Sequence, residues 1–181
     1  MEKQMQYTPI RRVGLLSFRN DGGVDIGGLE SSNDAIGAIK GIKVRKTLYE
    51  AYYSVREDGM GIGALIVASE DFRGETLTAS EKLGEIIVPL SGIVGFFCSP
   101  KKAYTAKQMD KYLKELEHDY HASGTFWKVL NSRQFICPSG QPIGSVVPVF
   151  CHRNEQGQID AIQMEFSRKA KTIAELAGEG E

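Results

Sequence analysis

The chain has 181 residues, 41% hydrophobic and 25% charged, with a net charge of −1. A chain of this length holds one domain with its own core and needs neither disulfide nor metal to stabilise it. The balanced charge excludes a broad electrostatic footprint for nucleic acid, and no window approaches the ~18 apolar residues of a transmembrane helix.

In chain order, the first predicted strand is Ile10–Phe18, after Pro9. Asp21–Gly41 holds six glycines together with Ser31, Ser32, Asn33 and Asp34, and reads as a long loop with one helical turn at Asp34–Ile39. Loops of that length are uncommon inside a compact domain and point to function. Val44–Arg56 alternates as a strand, with Thr47, Tyr49, Ala51, Tyr53 and Val55 on one face and Lys46, Glu50, Ser54 and Arg56 on the other. Asp58-Gly59 is a hairpin turn, and Ile62–Ala68 is the return strand. Glu70–Lys82 is polar and reads as a connection. Glu85–Leu90 and Ile93–Cys98 are two further strands separated by Ser91-Gly92, and Pro89 confines the first to an edge or a bulge.

The clearest helix starts at Thr105, where Thr105 and Gln108 have the spacing of a capping box. Met109, Tyr112, Leu113, Leu116 and Tyr120 form one apolar stripe, and Ser123-Gly124 ends the element. Thr125–Leu130 is expected as a short helix anchored by Trp127. Val146–Cys151, the turn Asn154–Gly157 and Ile159–Phe166 form a C-terminal hairpin, with Ile162, Met164 and Phe166 facing in and Gln163 and Glu165 facing out. Beyond Lys169 the composition turns to Ala, Glu and Gly, so one domain over 1–170 with a frayed tail over 171–181 is expected.

The residue types that carry chemistry are sparse. Cys98, Cys137 and Cys151 are widely spaced among apolar neighbours, which predicts free buried thiols in a reducing compartment. The residues Met1 to Gln6 lack the apolar run of a signal peptide, and a cytoplasmic location is expected. His118 and His121 are spaced to share a metal, but no further ligands accompany them, and a histidine near a helix C-terminus complements the dipole without any metal. Cys151 and His152 are adjacent on a strand and point to opposite faces. No metal and no cofactor are expected. The glycine-rich stretches lack dinucleotide or P-loop spacing. Short basic clusters at Lys40, Lys43, Arg45 and Lys46, and at Arg168, Lys169 and Lys171, read as solvated surface. Tyr49 and Tyr53 share a face, either as an aromatic binding surface or packed beneath a helix.

Ser139-Gly140, Gly144, Val146-Val147-Pro148-Val149-Phe150, Asn154-Glu155, Gly157 and Ile162, Met164, Phe166 together resemble the C-terminal hairpin of a family of uncharacterised bacterial proteins. Ser91-Gly92 before Ile93-Val94-Gly95-Phe96-Phe97 adds to the likeness, which covers about half of the chain. Gln141-Pro142-Ile143 departs from the Gly-Asp-Gly type of turn expected there. The resemblance implies a strand-rich fold and brings no activity with it.

The expected fold is α+β: a bent antiparallel sheet or partial barrel of six to eight strands packed against one main helix, Thr105–Tyr120. The sequence names no reaction. One reading is a non-enzymatic, cytoplasmic binding or interaction module, in bacterial competition or phage defence, with a protein or small-molecule partner. The other is a small hydrolase or transferase with Cys98 as nucleophile and His118, His121 or His152 as base. Oligomeric state stays open. The expected binding residues are Ser91, Gly92, Ser139 and Gly140, joined by the loop Asp21–Gly41, because glycine-rich turns leave backbone N–H groups free to meet a ligand. That expectation requires the three segments to meet at one end of the sheet, near a concave pocket.

Overall fold

The structure is a computed structural model that describes residues 10–18, 23–30, 37–44, 48–55, 62–69, 81–101, 104–125 and 127–166. The described residues form eleven strands and one helix: β1 (Ile10–Ser17), β2 (Gly23–Gly28), β3 (Ile39–Lys43), β4 (Leu48–Val55), β5 (Ile62–Ser69), β6 (Glu81–Ile87), β7 (Ile93–Cys98), α1 (Ala106–Ser123), β8 (Lys128–Leu130), β9 (Gln134–Pro138), β10 (Val146–Arg153) and β11 (Ile159–Glu165). They build two open antiparallel sheets, ordered β1-β4-β5-β11-β10-β6 and β3-β2-β7-β9-β8.

Both hairpins read from alternation are present. Val67 pairs with Ala51 and Leu65 with Tyr53 between β4 and β5, and Met164 pairs with Val149 between β10 and β11. The alternation puts one face of each strand between the sheets. Leu16, Val24, Ile26, Tyr49, Ala51, Leu65, Val67, Val94, Phe96, Phe135, Val147, Val149, Ile162 and Met164 form that core. Tyr49 and Tyr53 belong to it rather than lying beneath a helix. The Tyr49 hydroxyl donates to the Ile159 carbonyl at 3.0 Å, and the Tyr53 ring lies 6.1 Å from Trp127. The sheets also touch at both margins. Ser17 N–H donates to Ser132 O at 2.6 Å, and Ile87 N–H donates to Gly37 O at 3.0 Å. The result is the partial barrel expected of the bent sheet, with Lys40 and Lys43 exposed on the edge strand β3, where charge discourages pairing with a second chain.

The helix covers the outer face of the five-stranded sheet. Thr105 Oγ1 accepts from Gln108 N–H while the Gln108 side chain accepts from Thr105 N–H, which completes the capping box, and Gly124 closes the helix at φ 71°. Leu116 is buried with Leu29, Ile93, Phe97, Leu130 and Ile136, and Met109 and Tyr112 pack beside it. Leu113 and Tyr120 of the expected stripe stay exposed, since the helix meets the sheet along a narrower line than the stripe is wide. Lys128 ties the helix to β8 through Glu115 at 2.9 Å and Asp119 at 3.5 Å.

Several elements differ from the sequence reading. Asp21–Gly41 is not one long loop, since it contains β2 and most of β3. Glycine depresses strand propensity, but β7 supplies a partner ladder that holds Gly27 and Gly28 extended. Half of the expected helical turn at Asp34–Ile39 lies outside the described residues, and Ile39 itself begins β3. Thr125–Leu130 is not helical: Lys128–Leu130 pairs with β9 as a strand. Eleven strands replace six to eight. Gln163 was expected to face solvent, yet it is 1% exposed on the outer face of the six-stranded sheet, beside the buried Ala64, Ile66, Ala68 and Ala161. The turn Asp58-Gly59 and the tail beyond 166 lie outside the described residues.

Candidate functional site

On β2 the core takes Val24 and Ile26, so the alternating side chain of Asp25 points to the outer face, level with Phe97 of β7. Asp25 is only 5% exposed. A buried carboxylate needs hydrogen-bond partners, and this one has two backbone donors. Gly41 N–H donates to Oδ1 at 2.7 Å and Lys101 N–H donates to Oδ2 at 2.7 Å. One side chain thus ties β3 and the segment after β7 to β2.

Lys101 is itself buried, at 6% exposure. Its ammonium lies 4.9 Å from the centroid of the Phe97 ring and 4.7 Å from that of Tyr104, the geometry of a cation–π pair on two faces. Burial drives its pKa from the ordinary 10.5 down to about 8, against the opposing pull of the Asp25 and Glu30 carboxylates. Tyr104 packs edge-on against Tyr112, with centroids 5.3 Å apart. Burial, reinforced by Tyr112, pushes the Tyr104 hydroxyl pKa well above its usual value. That hydroxyl is shielded from solvent, and the neighbouring Gln134 side chain opposes the rise.

Glu30 links this cluster to the expected binding turns. Its carboxylate accepts from Ser91 N–H at 3.0 Å and from the Ser91 hydroxyl. Ser139 N–H donates to Gly92 O at 2.8 Å, and Ser139 Oγ accepts from Gln141 N–H at 3.2 Å. Ser91, Gly92, Ser139 and Gly140 are therefore brought together, and Glu30 of the segment 21–41 joins them. The connection continues one layer on, where Val88 N–H donates to Ser145 O and Gly144 N–H to Val88 O, both at 2.9 Å. Leu90 and Ile143 stand out from these bonded turns, 78% and 59% exposed. Their exposure makes these joined turns an apolar tip. An open depression lined by Lys114, Glu117, His118, His121 and Ala122 lies elsewhere, along the helix.

The elements of a cysteine–histidine pair are kept apart. Cys98 packs against the core between the sheets. His118 and His121 sit on the solvent side of α1, next to Asp119 and Glu117. His152 lies on the other sheet, hydrogen-bonded to Asp160 at 2.6 Å. Burial pushes the Cys137 and Cys151 thiols up in pKa, away from the thiolate form that attacks. Among the described residues no three His, Cys, Asp or Glu side chains are grouped to hold a metal.

The sequence reading missed Asp25, Glu30 and Lys101. A charged residue between two core residues, Val24-Asp25-Ile26, is the one local sign available, because a strand with helix cover on its outer face buries both sets of side chains. Nothing near Lys101 in sequence marks its burial. Comparison with family models, curated proteins and solved structures returns no match.

Proposed function

We propose that the protein is a non-enzymatic binding module that engages a protein partner through the tip carrying Leu90 and Ile143. One observation carries the reading: the two most exposed large apolar side chains among the described residues stand on turns joined to each other by backbone hydrogen bonds. A fixed pair of aliphatic side chains loses little freedom when a partner covers it. Burying each contributes about 2 kcal/mol, and Ser91, Ser139 and Gln141 supply a polar rim. Clustered apolar exposure of this kind marks interaction sites. The cytoplasmic placement rests on three cysteines outside any disulfide, two of them buried.

Photo-crosslinkers placed at positions 90 and 143 are expected to capture one and the same protein in extract of the source cells, whereas a crosslinker at the exposed Tyr120 captures none. The double variant L90D/I143D is expected to lose that partner while keeping its circular dichroism spectrum. Undiminished capture by a folded L90D/I143D would sink the proposal, and so would turnover of a small-molecule substrate by the purified protein.

A further inference from the structure

We infer that His118 and His121 are one half of a zinc site that the same two residues of a second copy complete, so that zinc pairs two chains across the outer side of α1. The site does not depend on the apolar tip.

The helix supplies the first half. His118 and His121 lie three positions apart on α1, so they are neighbours one turn apart on the same side. Leu116 faces the sheet, and the two histidines stand on the side away from it, 80% and 72% exposed. With Lys114, Glu117 and Ala122 they line the open depression along the helix. The one cation in that lining is drawn off, since Lys114 Nζ lies 2.8 Å from Asp110 Oδ2, toward the start of the helix. Each imidazole also turns one nitrogen to a carboxylate. His118 Nδ1 is 3.5 Å from Asp119 Oδ1, and His121 Nε2 is 3.9 Å from Glu117 Oε1. Metal-bound histidines have this arrangement: the nitrogen facing the acid keeps its proton, and the other nitrogen offers its lone pair to the metal.

A closed zinc site takes four ligands in a tetrahedron. One chain brings two, and among its described residues no third His, Cys, Asp or Glu joins them. Symmetry supplies the rest. When two α1 helices cross antiparallel on a two-fold axis through the midpoint of the pair, His118 meets the partner's His121 and His121 meets the partner's His118. The same operation sets Ala122, a small side chain, against the partner's Glu117, which leaves room for the helices to approach. A net charge of −1 per chain opposes the pairing only weakly. Imidazole nitrogen selects zinc over magnesium, which takes oxygen ligands.

The test uses the whole chain without an affinity tag. Sedimentation equilibrium gives its mass in EDTA, in zinc chloride and in magnesium chloride, and calorimetry gives the zinc stoichiometry. Zinc is expected to double the mass measured in EDTA, at one zinc per two chains, and excess EDTA to reverse the change. Magnesium is expected to leave the mass as it is in EDTA. Cobalt in place of zinc should give the strong visible absorption of a tetrahedral ion. The variant H118Q/H121Q, altered only at exposed positions, is expected to keep its circular dichroism spectrum, to stay at the EDTA mass in zinc and to lose the cobalt absorption. Because the first readout needs no substitution, it stands even if the variant fails to fold. A mass that zinc leaves unchanged overturns the inference, whether or not zinc binds the single chain. So does zinc-driven doubling that survives in a folded H118Q/H121Q, which would place the metal on other side chains.

Discussion

Asp25 on β2 accepts the backbone N–H of Lys101, 76 positions further along the chain, at 2.7 Å. Its other oxygen accepts from Gly41 N–H, so two elements distant in sequence are held by one acid. Removing the carboxylate leaves buried backbone donors without acceptors, each costing about 1–3 kcal/mol. Asp25→Ala is therefore expected to lower unfolding free energy by about 3 kcal/mol. Asp25→Asn keeps one acceptor oxygen and should lose less. Equal midpoints for Asp25→Ala and wild type in urea denaturation would contradict this role.

The lowered pKa of Lys101 has a definite consequence for stability. Its folded value is about 8, below the ordinary 10.5, so folding disfavours the charged form. The cost is fully present below pH 8 and is relieved as pH rises from about 8 to 10.5. Against Lys101→Met, which has no such cost at any pH, wild type is expected to gain on the order of 1–2 kcal/mol across that window. The comparison cancels the thiols, which titrate in both proteins. A flat difference between the two stability curves from pH 7.5 to 10.5 would show that burial does not act on Lys101 in this way.

Glycines at two kinds of position should respond differently to alanine. Gly92 and Gly140 have φ of 75° and 66°, and an added Cβ would meet nothing within 4 Å among the described residues. Only the left-handed backbone opposes a side chain there, so each alanine should cost about 1 kcal/mol. Gly95 is the opposite case: its Cβ would lie 2.2 Å from the Phe135 carbonyl oxygen, inside the β7–β9 ladder. Gly95→Ala is expected to cost about 3 kcal/mol or more. Thermal unfolding of the three variants tests the order, which fails if Gly95→Ala is the mildest.

Gln163 is buried with both amide atoms lacking a hydrogen-bond partner among the described residues, beside Ala64, Ile66, Ala68 and Ala161. An unpaired buried amide costs about 1–3 kcal/mol. Gln163→Leu, close in volume, should therefore raise the urea midpoint, by about 1 kcal/mol in unfolding free energy. A drop in midpoint would mean that the amide makes a stabilising contact after all.

Much of the fold was legible because its signals are local. The capping box of Thr105 and Gln108 lies within one turn, and it marked the helix start to the residue. The hairpins β4–β5 and β10–β11 announced themselves by a two-residue period that depends only on neighbours in the chain. The strands β2 and β3 were hidden by glycine, whose weak intrinsic preference is overridden by pairing with β7. With only three residues, β8 is too short to show a period and exists because β9 lies alongside.

The candidate sites divide along the same line. By itself the sequence marked Ser91-Gly92 and Ser139-Gly140 as breaks between strands, because a left-handed backbone selects glycine at the residue itself. That the turns touch each other and Glu30 was decided by the tertiary structure alone. So was the burial of Lys101 between Phe97 and Tyr104. Solvation and charge coupling depend on what lies across space, and a residue's neighbours in the chain carry no record of the atoms that the fold will bring against it.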